Sequence, residues 1–391
     1  MKKVFMVVTA ALLSVCNFGQ TVDDVLKEVE KNNLRIKSAR KNLEFYSKEA
    51  FTDIYPEDPK LEADYMIGRP VSGGNQFDFT ATQEFDLPLV YKNRKKLAEG
   101  NILAYRYEVD RIRKEVLLQA KELMLESIHL QKRLETINTR LETDRELIEV
   151  FEEKAKVAEI NLLELNKAKL HLLDINSDKK EVEALILINE NHLSELNAGK
   201  ALTFSSESYF DDINLPDLTT ITDSLERGDP DFLALEARKI ANEMDLSLTK
   251  SENLPKFETG YHYQSVLGQT FNGGHFGMSI PLWKNKNKLD ASKLNIDALD
   301  ARIQQHINEH NHHINQKYEH YLNLKERFQD YEKILKETDN STLLQTLIKS
   351  GEIDFIRYAD EVEYFFEAED KMMEVELELH LTIAELLKYK L

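Results

Sequence analysis

Two hydrophobic periodicities alternate along this chain. Val116, Ala120, Leu123, Ser127, Leu130, Leu134, Ile137, Leu141, Asp144, Ile148, Phe151 and Ala155 follow one another in steps of four and three, and ten of the twelve are apolar or Ala. After an interruption near 157–161 the spacing resumes at Leu165, Ala168, Leu172, Ile175, Lys179, Val182, Ile186, Asn189, Leu193 and Leu196. A seam sustained over so many heptads predicts long helices packed as a coiled coil. Lys92 to Ala155 would extend roughly 95 Å if wholly helical, more than a compact globule holds. An ordinary extended coiled coil fits the same spacing.

The second periodicity has a period of two. Leu61, Ala63, Tyr65 and Ile67 alternate with Lys60, Glu62, Asp64 and Met66, and Phe77, Phe79, Ala81 and Phe85 with Asp78, Thr80, Thr82 and Glu84. Further on, Phe257, Thr259, Tyr261 and Tyr263 alternate with Glu258, Gly260, His262 and Gln264, and Phe276, Met278 and Ile280 with His275, Gly277 and Ser279. Ser72-Gly73-Gly74 reads as the turn of the first hairpin, and a link containing Gly268 and Gly273-Gly274 as that of the second. Segments of about ten alternating residues rich in Phe and Tyr fit transmembrane β-strands; a soluble sandwich with one buried face is the alternative. Four strands cannot close a membrane barrel, and open edges are not tolerated in lipid. If these strands lie in lipid, several chains share one barrel.

The order of elements is written twice. Pro88-Leu89 and Pro281-Leu282 each follow a strand pattern and precede a helical one, 193 residues apart. The same offset relates Ala158-Glu159-Ile160-Asn161 to Gly351-Glu352-Ile353-Asp354. Two landmarks with one spacing indicate a duplicated unit. The first repeat is expected over 21–199: a short helix at 22–32, a β-hairpin at about 60–86, and a helical hairpin at about 92–199. A linker follows at 200–219. The second repeat, 220–391, has a short helix at 220–227, a β-hairpin at about 256–282 and a helical hairpin at about 284–391.

Composition narrows the class. Among 391 residues, 51 Lys and Arg face 70 Asp and Glu, a net charge of −19 that argues against nucleic acid as a partner. Met1-Lys2-Lys3 followed by the apolar run Val4 to Val15 reads as a signal peptide ending near residue 20. Cys16 is the single cysteine, so no disulfide framework and no Cys-based metal site exist. Leu13-Ser14-Val15-Cys16 departs from a lipobox because Val15 is not small. No later stretch reaches 18 apolar residues, so any membrane span must be built from strands. Phosphate loops, nucleophile elbows and H-E-x-x-H motifs are absent, and no enzymatic role or cofactor is expected.

Two charge features stand out. Ala359 to Glu378 holds nine acidic residues and one Lys, either a solvated helix face or a cation-attracting strip on a channel wall. His306, His310 and His313 fall at i, i+4, i+7 and share one helix face, near His312, His320 and Glu309. Imidazoles one turn apart suit Zn, Cu or Ni. Ile303, Ile307 and Ile314 run beside them, so the histidines also fit as structural or surface residues.

Helix, hairpin ending in Pro-Leu, long helix and second helix, twice over behind a signal peptide, resembles the TolC-like outer-membrane efflux proteins, and a heavy-metal branch of them fits the histidines. The resemblance covers about residues 21–391. It is carried by Phe85-Asp86-Leu87-Pro88-Leu89, Ser279-Ile280-Pro281-Leu282 and Lys349-Ser350-Gly351-Glu352-Ile353. It implies a mainly α chain with membrane β: three chains, a homotrimer, form a 12-stranded barrel in outer-membrane lipid above a periplasmic α-barrel. It implies as partners a periplasmic adaptor protein and an inner-membrane transporter, with Pro88 and Pro281 at the strand–helix junctions. Val157, Ala158, Glu159, Ser350, Gly351 and Glu352 become the adaptor-docking tips. The family commonly has Gly at both tips, whereas here Ala158 stands opposite Gly351. Asp360 falls where the family places pore-closing carboxylates, and Arg357 stands where another carboxylate is common. The expected role is a passive exit duct for drugs or metal cations. A secreted or periplasmic coiled-coil scaffold without a channel is the alternative.

Overall fold

The computed structural model describes residues 21–70, 74–157, 160–202, 204, 206, 208–283, 287–338 and 340–391. The expected signal segment with Cys16, the expected tip residues Ala158 and Glu159, and Ser72-Gly73 of the expected turn lie outside the described residues. Helix α1 (Val22–Asn32) buries Val25 and Val29 completely and starts on Thr21, whose Oγ1 accepts from Asp24 N. Helix α2 (Leu34–Glu49) follows at once, its N-cap Asn33 accepting from Arg35 N and Ile36 N. Helix α5 (Leu218–Gly228) and helix α6 (Pro230–Ser251) form a second such pair, with Asp229 as N-cap and Pro230 at N1. Of these four helices, the sequence pattern points only to α1 and α5. The missed helices start on an Asn and on an Asp-Pro that read equally well as turn signals.

The strands are β1 (Lys60–Ile67), β2 (Asn75–Phe85), β3 (Lys256–Val266) and β4 (Gln269–Ser279). They form one antiparallel sheet in the order β1-β2-β3-β4, so the hairpins of the two repeats join through β2 and β3. The register keeps the alternating faces in step: Ala63 opposes Phe79, which opposes Tyr263, and Phe85 opposes Phe257, which opposes Met278. The second hairpin turns on Leu267 and Gly268 alone, both at positive φ, as a two-residue type I′ turn requires. Gly273 and Gly274, expected in the link, lie inside β4 opposite His262 and Tyr261.

Helix α3 (Pro88–Lys156) runs 69 residues and begins on Pro88 itself at N1, four residues earlier than its periodicity predicts. Helix α4 (Leu162–Leu196) returns along it. In the second half the long pattern splits into α7 (Lys288–Glu337) and α8 (Ser341–Ser350), before α9 (Phe355–Leu386). The split falls between Glu337 and Ser341, beside Thr338 and Asn340, both of weak helix propensity. No described helix is long and apolar enough to cross a membrane.

The chain divides into two compact units that cut across the repeats. One joins α1 to Gln119–Ile213 and Leu324–Leu381. Its heptad seam is as the sequence spaces it: Leu141 and Val182 are buried, and Leu130, Ile137 and Ile175 pack with them. Polar layers fix the register of α3 against α4. Asn189 accepts from Ser127 Oγ at 2.9 Å and donates to Glu126, and His171 meets buried Asp144 at 2.6 Å. A hydrogen-bonded polar pair is satisfied in only one alignment. The segment before α5 is anchored, with Lys121 on Asp211 at 2.9 Å and Tyr209 stacked on His380. The other unit comprises Asn33–Leu118, Asn214–Asn323 and Thr382–Leu391, and holds the sheet.

Candidate pore wall, helical tips and histidine cluster

Both faces of the sheet lie open. Every residue of β1 is exposed, and Leu61, Tyr65, Phe276 and Met278 stand in solvent on the apolar face of the single chain. The opposite face carries Glu62, Asp64, Asp78, Glu84 and Glu258, with Thr80 bonded to His262 at 2.9 Å and Lys60 to Glu84 at 3.0 Å. β1 and β4 are the edges. A sandwich would cover the apolar face with a second layer; among the described residues there is one sheet.

At the helical tips, Leu147, Ile148, Phe151, Leu165, Ala168, Ile348, Phe355, Tyr358 and Val362 form one core. Burial, with the charge of Asp144 adding to it, pushes the Tyr358 hydroxyl up to about 12. The hydrogen bond to Asp144 raises the His171 pKa above its ordinary value, against the opposing effect of burial. Val157 and Glu352 are exposed, and Ser350 Oγ bonds to Glu352. Gly351 sits at φ 80° and closes α8 as a Schellman motif, its N–H donating to Ile348 O and that of Glu352 to Leu347 O. An L side chain resists that φ, which is why Gly stands there. Asp354 caps α9 through Arg357 N, and both Arg357 and Asp360 are exposed on its first turns.

The acidic stretch of α9 is partly neutralised. Arg140, 10% exposed, grips Asp370 at 2.7 and 3.1 Å and Glu369 at 2.7 Å, and lies over the Phe366 ring. Lys132 bonds Glu376 at 2.8 Å. These carboxylates hold helices together, which the uniform run of acids did not reveal. Pro281 lies between the end of β4 and the start of α7, in a longer junction than the one at Pro88.

The three histidines on α7 separate. His306 and His310 turn to Asp229, the buried N-cap of α6: His306 Nε2 is 2.6 Å and His310 Nδ1 3.5 Å from Asp229 Oδ2. His313 instead meets Glu385 at 3.0 Å, so the i, i+4, i+7 set does not act as one cluster. Burial lowers the His310 pKa below its ordinary value, against the pull of Asp229. Nothing in the sequence links Asp229 to these histidines, because it lies 77 residues from His306.

No protein-family model matches the sequence. No curated protein matches it either. Solved structures do match. The outer-membrane channel OprN aligns with a TM-score of 0.78 and 14% identity, over 94% of this chain and 89% of that one. CusC, which forms a transmembrane channel, aligns with a TM-score of 0.79 and 14% identity over 95% and 92%. The Campylobacter jejuni CmeC outer membrane channel aligns with a TM-score of 0.71 and 15% identity over 94% and 85%. The alignments span both repeats, the sheet and the helical hairpins together. The chain therefore has the TolC-like outer-membrane channel fold.

Proposed function

We propose that this protein is an outer-membrane exit duct of a tripartite efflux system, built from three copies of the chain. The observation that carries the reading is a four-stranded sheet with one aromatic face, one acidic face and two open edges. Lipid would cover the first face, water the second, and copies of the same chain the edges, since unpaired strand groups find no partner in hydrocarbon. Three copies supply twelve strands. The helical hairpins then form the periplasmic wall, and heptad seams hold it. The tips at Val157, Ser350, Gly351 and Glu352, with Ala158 and Glu159, meet the adaptor, and Asp360 and Arg357 stand near the constriction. The energy comes from the inner-membrane partner, and no catalytic chemistry is needed. Drugs or metal cations are the substrates this reading accommodates.

Fractionation tests it. A duct enters the outer-membrane fraction as an oligomer that resists SDS until heated and conducts ions in a planar bilayer. A soluble, non-conducting product would leave the coiled-coil scaffold instead. Reversal potentials measured in a salt gradient report whether the acidic face favours cations.

A further inference from the structure

The geometry points to a binding site for one divalent transition cation, such as Zn²⁺, formed by Asp229, His306 and His310. The proposal stands whether or not the chain forms a duct. One donor atom from each residue lies within 4.8 Å of the other two. Two imidazoles and one carboxylate are a donor set for a borderline cation, and a helical i, i+4 pair brings both rings to one side.

The hydrogen bonds inside the cluster leave a ring unanswered. Asp229 is buried, and its Oδ2 is taken at 2.6 Å by His306. His310 Nδ1 stands 3.5 Å from that same oxygen, at the outer limit of a hydrogen bond, so the nitrogen that faces Asp229 is poorly answered. A half-buried imidazole held against a carboxylate already occupied by a neighbour is poorly served by hydrogen bonding alone. Around a tetrahedral ion with bonds of about 2.0–2.2 Å, donor atoms stand roughly 3.3 Å apart. The His310 distance already matches. The His306 contact would open by roughly 0.7 Å as the cation replaces the shared proton.

Further groups orient the donors. Asp229 Oδ1 accepts from Asp231 N at 2.9 Å, which leaves Oδ2 for the rings. The Tyr389 ring stacks on His310. Such partners fix ligand orientation and commonly change affinity 10–100-fold. An entry path exists: a cleft of about 350 Å³ reaches His306, lined by Glu108, Arg111, Asp231 and Arg238. Its cations are matched, Arg111 with Asp231 and Glu115, and Arg238 with Glu108. With three protein donors, the remaining position falls to water, so a loaded ion can exchange.

The test is metal binding by the full chain in detergent, stripped with chelator and dialysed against Zn²⁺. One Zn²⁺ per chain is expected, and Co²⁺ in its place should give the visible bands of a four-coordinate site. Asp229→Asn should weaken binding about tenfold, and His306→Gln with His310→Gln about a hundredfold. His312→Gln and His313→Gln should leave it unchanged. Fewer than one ion per chain, wild-type affinity in the double variant, or equal loss in His312→Gln would overturn the proposal. Should the variants fail to fold, Cu²⁺ bound to the wild-type chain decides: two coupled nitrogens in its electron paramagnetic resonance spectrum support the site, and any other number refutes it.

Discussion

Assembly is best tested on the outer face of α4. Leu163, Leu170, Leu173 and Leu187 repeat at heptad spacing there, outside the seam with α3, and are 59%, 61%, 62% and 61% exposed. Complete burial of a Leu side chain is worth about 1.5–3 kcal/mol, so covering six-tenths of one yields about 1–2 kcal/mol. Changing Leu170, Leu173 and Leu187 together to Ser should remove about 3–5 kcal/mol from each contact between chains. The same changes cost the isolated chain little, because those side chains already stand in water. Leu141→Ala is the contrast: it empties a site that is 1% exposed and should destabilise the fold itself by about 2–5 kcal/mol. The assay is the temperature at which the oligomer dissociates in SDS, with circular dichroism for helicity and light scattering for mass. The triple variant should keep its helices and dissociate at lower temperature. If it assembles with the midpoint of the wild type, no neighbouring chain covers this face.

Three other outcomes follow from the same structure. Arg140→Ala strands Asp370 and Glu369, which remain partly exposed, so the loss should sit near the lower end for a broken buried pair, about 3 kcal/mol, read as a shift in urea midpoint; Arg140→Lys should not restore it, because an ammonium cannot fork. For His171, a folded-state pKa above the unfolded value near 6.5 means its stabilisation is complete below that value and fades as pH rises through the folded one. The melting gap between wild type and His171→Gln should therefore be larger near about pH 5.5 than near about pH 9, and a gap independent of pH would contradict the ion pair with Asp144. Gly351→Ala meets no atom within 4 Å, so its whole cost is backbone strain at φ 80°, about 1 kcal/mol by thermal melting; an unchanged melt would show that the tip turn does not need the left-handed conformation.

Local periodicity was enough for much of the architecture. The spacing of Leu130, Ile137, Leu141, Ile175 and Val182 marked a seam that is buried where it was expected. The alternation from Lys60 to Ile67 marked a strand with those bounds. Both signals belong to residues close in the chain, because a helix or strand repeats its environment every few positions. Other features depend on what meets in space. Helix α2 buries Ile36 and Ala39 yet leaves Leu34 and Phe45 exposed, which blurred its pattern. The pairing of β2 with β3 joins segments about 180 residues apart, as Thr80 and His262 show. The acids of α9 found Arg140 and Lys132 on another helix. Asp229 met His306 and His310 only once α6 and α7 had packed. Periodicity could fix which side of a helix turns inward. Which groups wait on the other side depends on long-range packing, and the sequence carries no local record of it.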